Sequence, residues 1–336
     1  MVKKMKLKFS FAILLACMLP LKVHSATDAE VFRCGTNLST RTFAYRVNGL
    51  WKGFDADICR AFAWAVYGDG NNFKLVDVKD YEIEQALYSG KIDIMLSNNS
   101  SPATMEIKQR ANSVGVLYYD RQMFAVSDVP EKGSSISDYK GKKVCVYAGS
   151  DYLENLKDYN IDNGLDFHIL AYKTLKNAHK GFELNKCDVF SMQGLVLQNI
   201  ALNKKEKKMV ILPEEFAYKP VYAYVSPKNN DMRILAKWIL NSLYAAEKMG
   251  LRKDNANEFD YDFDQSIENM NLFGDNNLLW KFMKVRPNWL RLAVGDVGNM
   301  GEIFENNLGA KSDYKLKRGR AALVKDGGET KVEPLK

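Results

Sequence analysis

Polar side chains follow the apolar segment Ile92–Leu96, at the point where a buried strand would end. They continue to the start of the next predicted helix, and they are Asn98, Asn99, Ser100, Ser101 and Thr104. Amide and hydroxyl groups donate and accept hydrogen bonds, so this set is suited to holding a small polar solute. The alternative is a local role, since Thr104 is also a residue type that caps helices.

A second polar turn, Gly149-Ser150-Asp151, lies between an apolar strand-like segment and a predicted helix. The free N–H groups and the positive dipole end of a helix N-terminus favour a carboxylate or another anion. Asp151 would instead attract an ammonium group. Ser150 or Asp151 could equally do no more than cap the helix.

Histidines are scarce, and the three of them are His24, His168 and His179. His168 and His179 fall in a predicted strand and a predicted helix rather than in a loop that follows a strand. General acid–base catalysis needs a positioned titratable group. Because the sequence also shows no Ser/His/Asp set, no metal-ligand cluster and no phosphate-binding loop, we predict no catalytic residue, no metal and no cofactor.

The first 25 residues have the order of a secretory signal. A basic start, Met1–Lys8, precedes the apolar run Phe9–Leu21, and small residues follow. We predict cleavage after Ser25 and export to the periplasm, without a membrane-spanning helix, because a span takes about 20 apolar residues. Lipidation at Cys17 is the alternative, since the segment Leu14–Cys17 resembles a lipoprotein cleavage box.

Four cysteines remain in the predicted mature chain, namely Cys34, Cys59, Cys145 and Cys187. An even number in an exported protein favours two disulfides, which four cysteines can form in three ways. Spacing alone does not choose among the pairings, and four buried free cysteines are the alternative.

Short apolar strands alternate with longer helices along most of the chain. The predicted strands are Phe32–Thr36, Phe73–Val78, Ile92–Leu96, Lys142–Tyr147, Phe167–Leu170 and Cys187–Phe190. The first predicted helix is capped by Asp55 and ends near Val66. The other predicted helices span Tyr81–Ser89, Tyr152–Tyr159, Leu175–Leu184 and Met232–Met249. This alternation is typical of α/β proteins with parallel sheets, in which ligands bind beyond the carboxyl ends of the strands.

The strand–helix pattern starts again after the turn-rich segment Pro130–Ser135. A chain of 336 residues is also longer than a typical single domain. We therefore predict two lobes, with residues 1–25 as signal, 26–124 as lobe 1, 125–222 as lobe 2, 223–250 as a return to lobe 1 and 251–336 as a C-terminal extension packed on lobe 1. Phe124–Ser127 and Val221–Val225 are predicted to cross between the lobes as a hinge.

Several motifs resemble those of a known family. They are Gly53-Phe54-Asp55-x-Asp57-x-Cys59, Tyr118-Tyr119-Asp120, Cys187-Asp188-Val189 and Gly298–Glu305 followed by Arg318-Gly319. With them the chain resembles the general L-amino-acid-binding proteins of proteobacterial ABC importers, within solute-binding protein family 3. The resemblance implies a type II periplasmic binding protein fold with a ligand cleft between the lobes, and disulfides Cys34–Cys59 and Cys145–Cys187.

The resemblance also implies two charged anchors for an amino acid: an arginine for the α-carboxylate and an acidic residue of lobe 2 for the α-ammonium. Met105 stands at the arginine position, and Phe190–Gly194 lacks the acid. Replacement cations would be Lys108, Arg110, Arg41 or Arg46, whereas Phe43, Tyr45 and Trp51 would wall the cleft or pack in the core. The candidate ligand-binding residues are Asn98, Asn99, Ser100, Ser101, Thr104, Arg110, Gly149, Ser150, Asp151 and Gln193.

From this resemblance we expect the solute-binding component of an ABC importer. It would close its cleft on a small polar solute, an amino acid, and deliver it as a monomer to a permease in the inner membrane. The alternatives are an accessory periplasmic protein, for example a dehydrogenase-associated one, that has lost amino-acid binding, and an enzyme like cyclohexadienyl dehydratase, which has the same fold. Nucleic acid is not an expected partner, because the net charge of +7 is dispersed apart from Lys204–Lys208.

Overall fold

The computed structural model describes residues 30–38, 42–98, 102–127, 135–149, 151–203, 209–259, 267–273 and 278–335. Several sequence predictions lie outside these residues, namely the signal at residues 1–25, Cys17, Arg41, Asn99, Ser100, Ser101, Ser150 and Lys204–Lys208. Within the described residues, no helix is both long enough and apolar enough to cross a bilayer.

The strands of the described residues are numbered in chain order. They are β1 Phe32–Thr36, β2 Tyr45–Val47, β3 Leu50–Lys52, β4 Phe73–Asp77, β5 Ile94–Asn98, β6 Asn112–Val126, β7 Lys143–Tyr147, β8 His168–Tyr172, β9 Val189–Gln193 and β10 Val210–Val225. Eight of them form one sheet in the order β4-β1-β5-β10-β6-β9-β7-β8, and β2 pairs with β3 as a hairpin. The predicted strands are confirmed, and β1 has the predicted bounds.

The helices of the same residues cover the sheet. They are α1 Phe54–Tyr67, α2 Ile83–Tyr88, α3 Tyr152–Asp162, α4 Leu175–Glu183, α5 Gly194–Leu202, α6 Asn230–Met249, α7 Ile267–Phe273, α8 Leu278–Phe282, α9 Trp289–Val297 and α10 Met300–Asn307. The segment Thr104–Lys108 adds a short π-helical turn.

The long antiparallel strands β6 and β10 divide the sheet into two lobes. Lobe 1 contains the parallel strands β1, β4 and β5, and lobe 2 contains the parallel strands β7, β8 and β9. β10 pairs with β5 at one end, β6 pairs with β9 at the other, and β6 and β10 pair with each other along both lobes. The two long strands are therefore the covalent hinge between the lobes.

Each lobe has its own buried core. In lobe 1, Phe54 and Phe62 pack in one cluster with Trp289 and Phe304, which lie on α9 and α10 near the C-terminus. In lobe 2, Phe124 packs with aliphatic residues of β7 and β9 and with Phe216 of β10. Val221, Ala223 and Val225 of one predicted crossing lie in the lobe 1 core, whereas Phe124 and Val126 of the other lie in the lobe 2 core.

The two disulfides pair as the resemblance implied. Cys34 of β1 joins Cys59 of α1, with Cα atoms 6.1 Å apart. Cys145 of β7 joins Cys187, two residues before the start of β9, with Cα atoms 5.7 Å apart. Each bond therefore links elements of one lobe, and neither crosses the hinge.

The predicted helix cap at Asp55 is wrong. Gly53 occupies the N-cap of α1 with φ 116°, a region open to glycine but strained for other residues, and a Cβ there would collide with the carbonyl group of Phe43. Asp55 lies inside the first turn, where its carboxylate accepts a hydrogen bond from Thr36 Oγ1 at 2.5 Å. The chain enters the helix too tightly for a side-chain cap, so Asp55 instead ties α1 to β1. Phe54 is fully buried, as predicted.

Candidate functional site

The strand registers place the ends of lobe 1 and lobe 2 on either side of a short hinge segment. Asn98 at the end of β5 pairs with Tyr222, which pairs in turn with Val116 of β6. Gln193 at the end of β9 pairs with Gln122 of β6. Residues 116 to 122 of an extended strand span about 20 Å. The carboxyl ends of the strands β5 of lobe 1 and β9 of lobe 2 therefore lie beside the same stretch of β6 and β10.

The two faces of this hinge segment carry different partners, because successive side chains of a strand point to opposite sides. Asp120 and Gln122 point toward lobe 2 residues that follow its strands: Asp120 accepts from Gln193, and Gln122 Nε2 donates to the Tyr152 carbonyl oxygen at 3.0 Å. Arg121 points the other way and donates to the carbonyl oxygen of Lys317 at 2.6 Å. We call the first side the cleft face of the hinge.

Gln193 links the end of β9 to the hinge. Its Nε2 donates to the Asp120 carboxylate, and its Oε1 accepts from the Tyr152 hydroxyl at 3.2 Å. The side chain is buried, with 7% relative exposure. Both ends of the amide thus have protein partners, and the predicted residue Gln193 acts through this network on the position of Tyr152.

Asp120 is a buried carboxylate on the cleft face. It also accepts the N–H of Arg121 at 2.8 Å, and its relative exposure is 4%. Burial disfavours the charged form, and it raises the pKa of Asp120 to about 6, although hydrogen bonds from Arg121 and Gln193 act in the opposite direction. Above this pH, Asp120 places a buried negative charge at the centre of the hinge.

The turn after β7 meets the hinge through an ion pair. Asp151 occupies the N-cap position of α3 but makes no side-chain hydrogen bond to the helix, so capping is not its role here. Its Oδ2 lies 3.5 Å from Nζ of Lys219 on β10, and the Asp151 and Lys219 side chains are 53% and 26% exposed. The turn also contains Gly149, where a Cβ would collide with the Tyr147 ring.

The remaining predicted residues are more dispersed. Arg110, with φ 46°, is exposed and precedes the start of β6, at the end of that strand remote from the hinge segment. Thr104 begins the π-helical turn, and its N-cap is Ala103, so Thr104 is not a cap. Arg46 lies over the Trp51 ring at 4.5 Å. Met105 is fully buried in a cluster with Tyr224, so the position at which the resemblance implied a cation belongs to the core.

Three cleft-face residues were not predicted from the sequence: Tyr118, Asp120 and Lys219. Tyr118 and Asp120 belong to a motif that carried the resemblance, but nothing in the motif showed which way they point. Tyr118 packs edge-on against Phe54 at 5.5 Å, and its buried hydroxyl has no hydrogen-bond partner among the described residues. The available signal was the adjacent ionisable pair Asp120-Arg121 between the largely apolar runs 114–119 and 123–126.

A polar cavity of about 820 Å³ adjoins the loop after β1 and the helix after β9. Asn199 of α5 donates from Nδ2 to Thr42 Oγ1 at 3.2 Å and accepts from the Tyr314 hydroxyl at 3.2 Å. The cavity is also lined by Asn203 and Asn307 and by the charged residues Lys311 and Asp313. The C-terminal extension therefore contributes one wall of a space between elements of both lobes.

No protein-family model matches the chain. Curated relatives do match: the general L-amino acid-binding periplasmic protein of Rhizobium johnstonii is 28% identical over 309 residues, covering 90% of this chain and 89% of that protein. The glutamate/glutamine/aspartate/asparagine-binding protein of Rhodobacter capsulatus is 29% identical over 306 residues, covering 90% of this chain and 90% of that protein.

A solved structure extends this similarity to the fold. An ABC transporter/periplasmic binding protein from Brucella ovis with glutathione bound is 27% identical, with a TM-score of 0.75, and the match covers 91% of this chain and 96% of that one. The fold is thus the two-lobed, type II periplasmic binding protein fold, with its cleft between the lobes.

Over about nine tenths of its length the chain is similar to periplasmic amino-acid-binding proteins and to a periplasmic binding protein of an ABC transporter. Its role is that of the extracytoplasmic solute-binding component, as the sequence led us to expect. The relatives are binding proteins rather than enzymes.

Proposed function

We propose that this protein is a periplasmic receptor that binds an amino acid in the cleft and delivers it to the permease of its ABC importer. The observation that carries the proposal is the polar face of the hinge, where Gln193 and Asp151 of lobe 2 meet Asp120 and Lys219. The lobe 1 strand β5 ends beside the same stretch, with Asn98 paired to Tyr222. The amino-acid-binding relatives support the same ligand class.

Binding proceeds by closure of the lobes about β6 and β10. The sequence bounds the lobes at residues 26–124 and 125–222, with residues 223–250 as a return to lobe 1 and residues 251–336 as an extension carried by lobe 1. Each crossing lies a few residues earlier, because Phe124 packs in the lobe 2 core and Val221 in the lobe 1 core. Trp289 and Phe304 support this division, because they pack in the core that contains Phe54. A solute that contacts both lobes stabilises the closed form and shifts the population toward it.

The solute is held by the groups that follow the strands of both lobes: Asn98, Asn99, Ser100, Ser101 and Thr104 from lobe 1, and Gly149, Ser150 and Asp151 from lobe 2. Gln193 positions Tyr152 beside them through its 3.2 Å hydrogen bond. Arg110 does not enter this site, because it lies at the end of β6 remote from the cleft face.

The protein reaches the periplasm through the signal at residues 1–25 and acts as a monomer. Relatives named as periplasmic support this location. The permease recognises the closed form, so solute binding and docking are coupled.

An accessory binding role without amino-acid recognition is the second candidate. One observation favours it: Met105 has 0% exposure in the lobe 1 core, so the side chain at that position offers no charge to a carboxylate. A protein with this role would keep the fold and the hinge but bind another solute.

A thermal-shift screen of the protein purified from periplasmic extract and stripped of bound solute distinguishes the two. A ligand that binds only the folded state raises the melting temperature. At a ligand concentration of a hundred times its Kd, the free energy of unfolding increases by about 2.7 kcal/mol. The panel is the twenty amino acids, with glutathione added because the Brucella ovis protein holds it. A rise with one or more amino acids is expected. No rise in melting temperature with any of the twenty amino acids would reject the amino-acid receptor and favour the accessory role.

A further inference from the structure

An amino acid brings a carboxylate into the cleft, and a buried carboxylate needs a cationic partner. The position at which a cation was expected holds Met105, which is uncharged and buried in the core. Lys108 is exposed at the end of the π-helical turn, and Arg110 lies at the remote end of β6. Arg46 is held over Trp51. If the proposed function holds, on which this inference rests, the cation that the described residues offer to the solute lies on another element.

We propose that Lys219 is the residue that binds the carboxylate of the solute. Lys219 pairs with Asp120 across β10 and β6, and directly paired residues point to the same side of a sheet. Its neighbour Tyr218 faces the opposite side, where Arg320 lies 4.6 Å from the Tyr218 ring centroid. The Lys219 side chain therefore projects from the cleft face.

The ammonium group of Lys219 reaches the end of lobe 2 that closes on the solute. Nζ lies 3.5 Å from Asp151 Oδ2, beside the first turn of the eleven-residue helix α3. The positive end of that helix favours an anion at the same place. The side chain is 26% exposed, so the group is accessible to an entering solute while its stem is held by the protein.

The ion pair with Asp151 offers both charges that a zwitterion requires. Exposed pairs of this kind contribute little on their own, so exchanging the Asp151 carboxylate for that of a solute costs little. Asp151 then becomes available to the α-ammonium group, the role that the sequence suggested for it.

A buried hydroxyl without a partner among the described residues lies on the same face. Tyr118 precedes Asp120 by two positions and so shares its face of β6, its exposure is 1%, and its hydroxyl has no hydrogen-bond partner among the described residues. Buried hydroxyl groups are nearly always satisfied. A solute bound to Lys219 on this face would supply a polar group close to that hydroxyl.

The test compares each amino acid with its α-carboxamide, which keeps the ammonium group and removes the negative charge. Isothermal titration measures both Kd values for the wild type, Lys219→Met and Lys219→Arg. Lys140→Met is the matched control, because Lys140 also belongs to an ion pair, with Asp166, but precedes β7 at the end opposite Gly149.

We expect Lys219→Met to weaken binding of the amino acid by about ten- to a hundredfold, the range for a hydrogen bond to a charged group, and to remove the wild-type preference for the free acid. Lys219→Arg retains the preference, and Lys140→Met binds like the wild type. An unchanged preference in Lys219→Met overturns the inference while leaving the proposed function intact. Failure of the wild type to bind any amino acid rejects the proposed function itself, and this inference with it.

Discussion

Removing one disulfide should destabilise one lobe and leave the other nearly unchanged. Cys34–Cys59 closes a loop with a sequence separation of 25, and Cys145–Cys187 one of 42. The chain-entropy relation gives about 3.5 kcal/mol for the first and about 4 kcal/mol for the second. Because each loop lies within one lobe, each contribution belongs to the unfolding of that lobe alone.

Tryptophan fluorescence separates the two lobes. The five tryptophans are Trp51, Trp64, Trp238, Trp280 and Trp289, and none falls between residues 125 and 222. Fluorescence therefore follows lobe 1 and its extension, whereas far-ultraviolet circular dichroism follows both lobes. The double variants Cys34→Ala/Cys59→Ala and Cys145→Ala/Cys187→Ala are each unfolded in urea with both readouts.

For the Cys145–Cys187 variant we expect a circular dichroism transition about 2 M lower in urea, taking a slope of about 2 kcal/mol per M, and a fluorescence midpoint close to that of the wild type. The Cys34–Cys59 variant should lower the fluorescence midpoint. If loss of Cys145–Cys187 moved the fluorescence midpoint as far as loss of Cys34–Cys59 does, the lobes would unfold as one unit and the reasoning from separate cores would be refuted.

Three further predictions concern the hinge and the entry to α1. Burial raises the pKa of Asp120 from 3.8 to about 6, so folding favours the protonated form and the free energy of unfolding falls as the pH rises through 6. Asp120→Asn should remove about 3 kcal/mol of that fall in urea titrations from pH 4 to 7. An unchanged pH slope would contradict this. Arg121→Met should cost about 3 kcal/mol, because it leaves the largely buried carboxylate of Glu215 without its cation. It should also speed hydrogen exchange around Lys317, whose carbonyl Arg121 binds, and unchanged exchange would disprove that link. Gly53→Ala should lower the melting temperature more than Gly49→Ala, since both have positive φ but only Gly53 meets a neighbouring carbonyl, and equal losses would argue against the clash.

The elements of the fold could be predicted from the sequence because each depends on local patterns. The buried run Phe32–Thr36 and the amphipathic segment ending at Met249 identify a strand and a helix without reference to distant residues. The N-cap of α1 could not be predicted, because it depends on the approach of the Phe43 carbonyl to Gly53.

The candidate site was only partly predictable for a related reason. Gln193 and Asp151 were identified because they follow strands, a rule that needs only the order of elements. Asp120 and Lys219 were missed, because their importance arises from the pairing of β6 with β10 across many intervening residues. The sequence contains no local sign of that register.

Hydrogen–deuterium exchange with and without a stabilising amino acid tests the location of the site most directly. We expect slower exchange in both lobes at once, in the segments 98–104, 149–153 and 190–195, with the hinge segment 117–121 also protected. Protection confined to one lobe, or centred on Asn307 and Tyr314 at the polar cavity, would contradict a solute site between the facing strand ends.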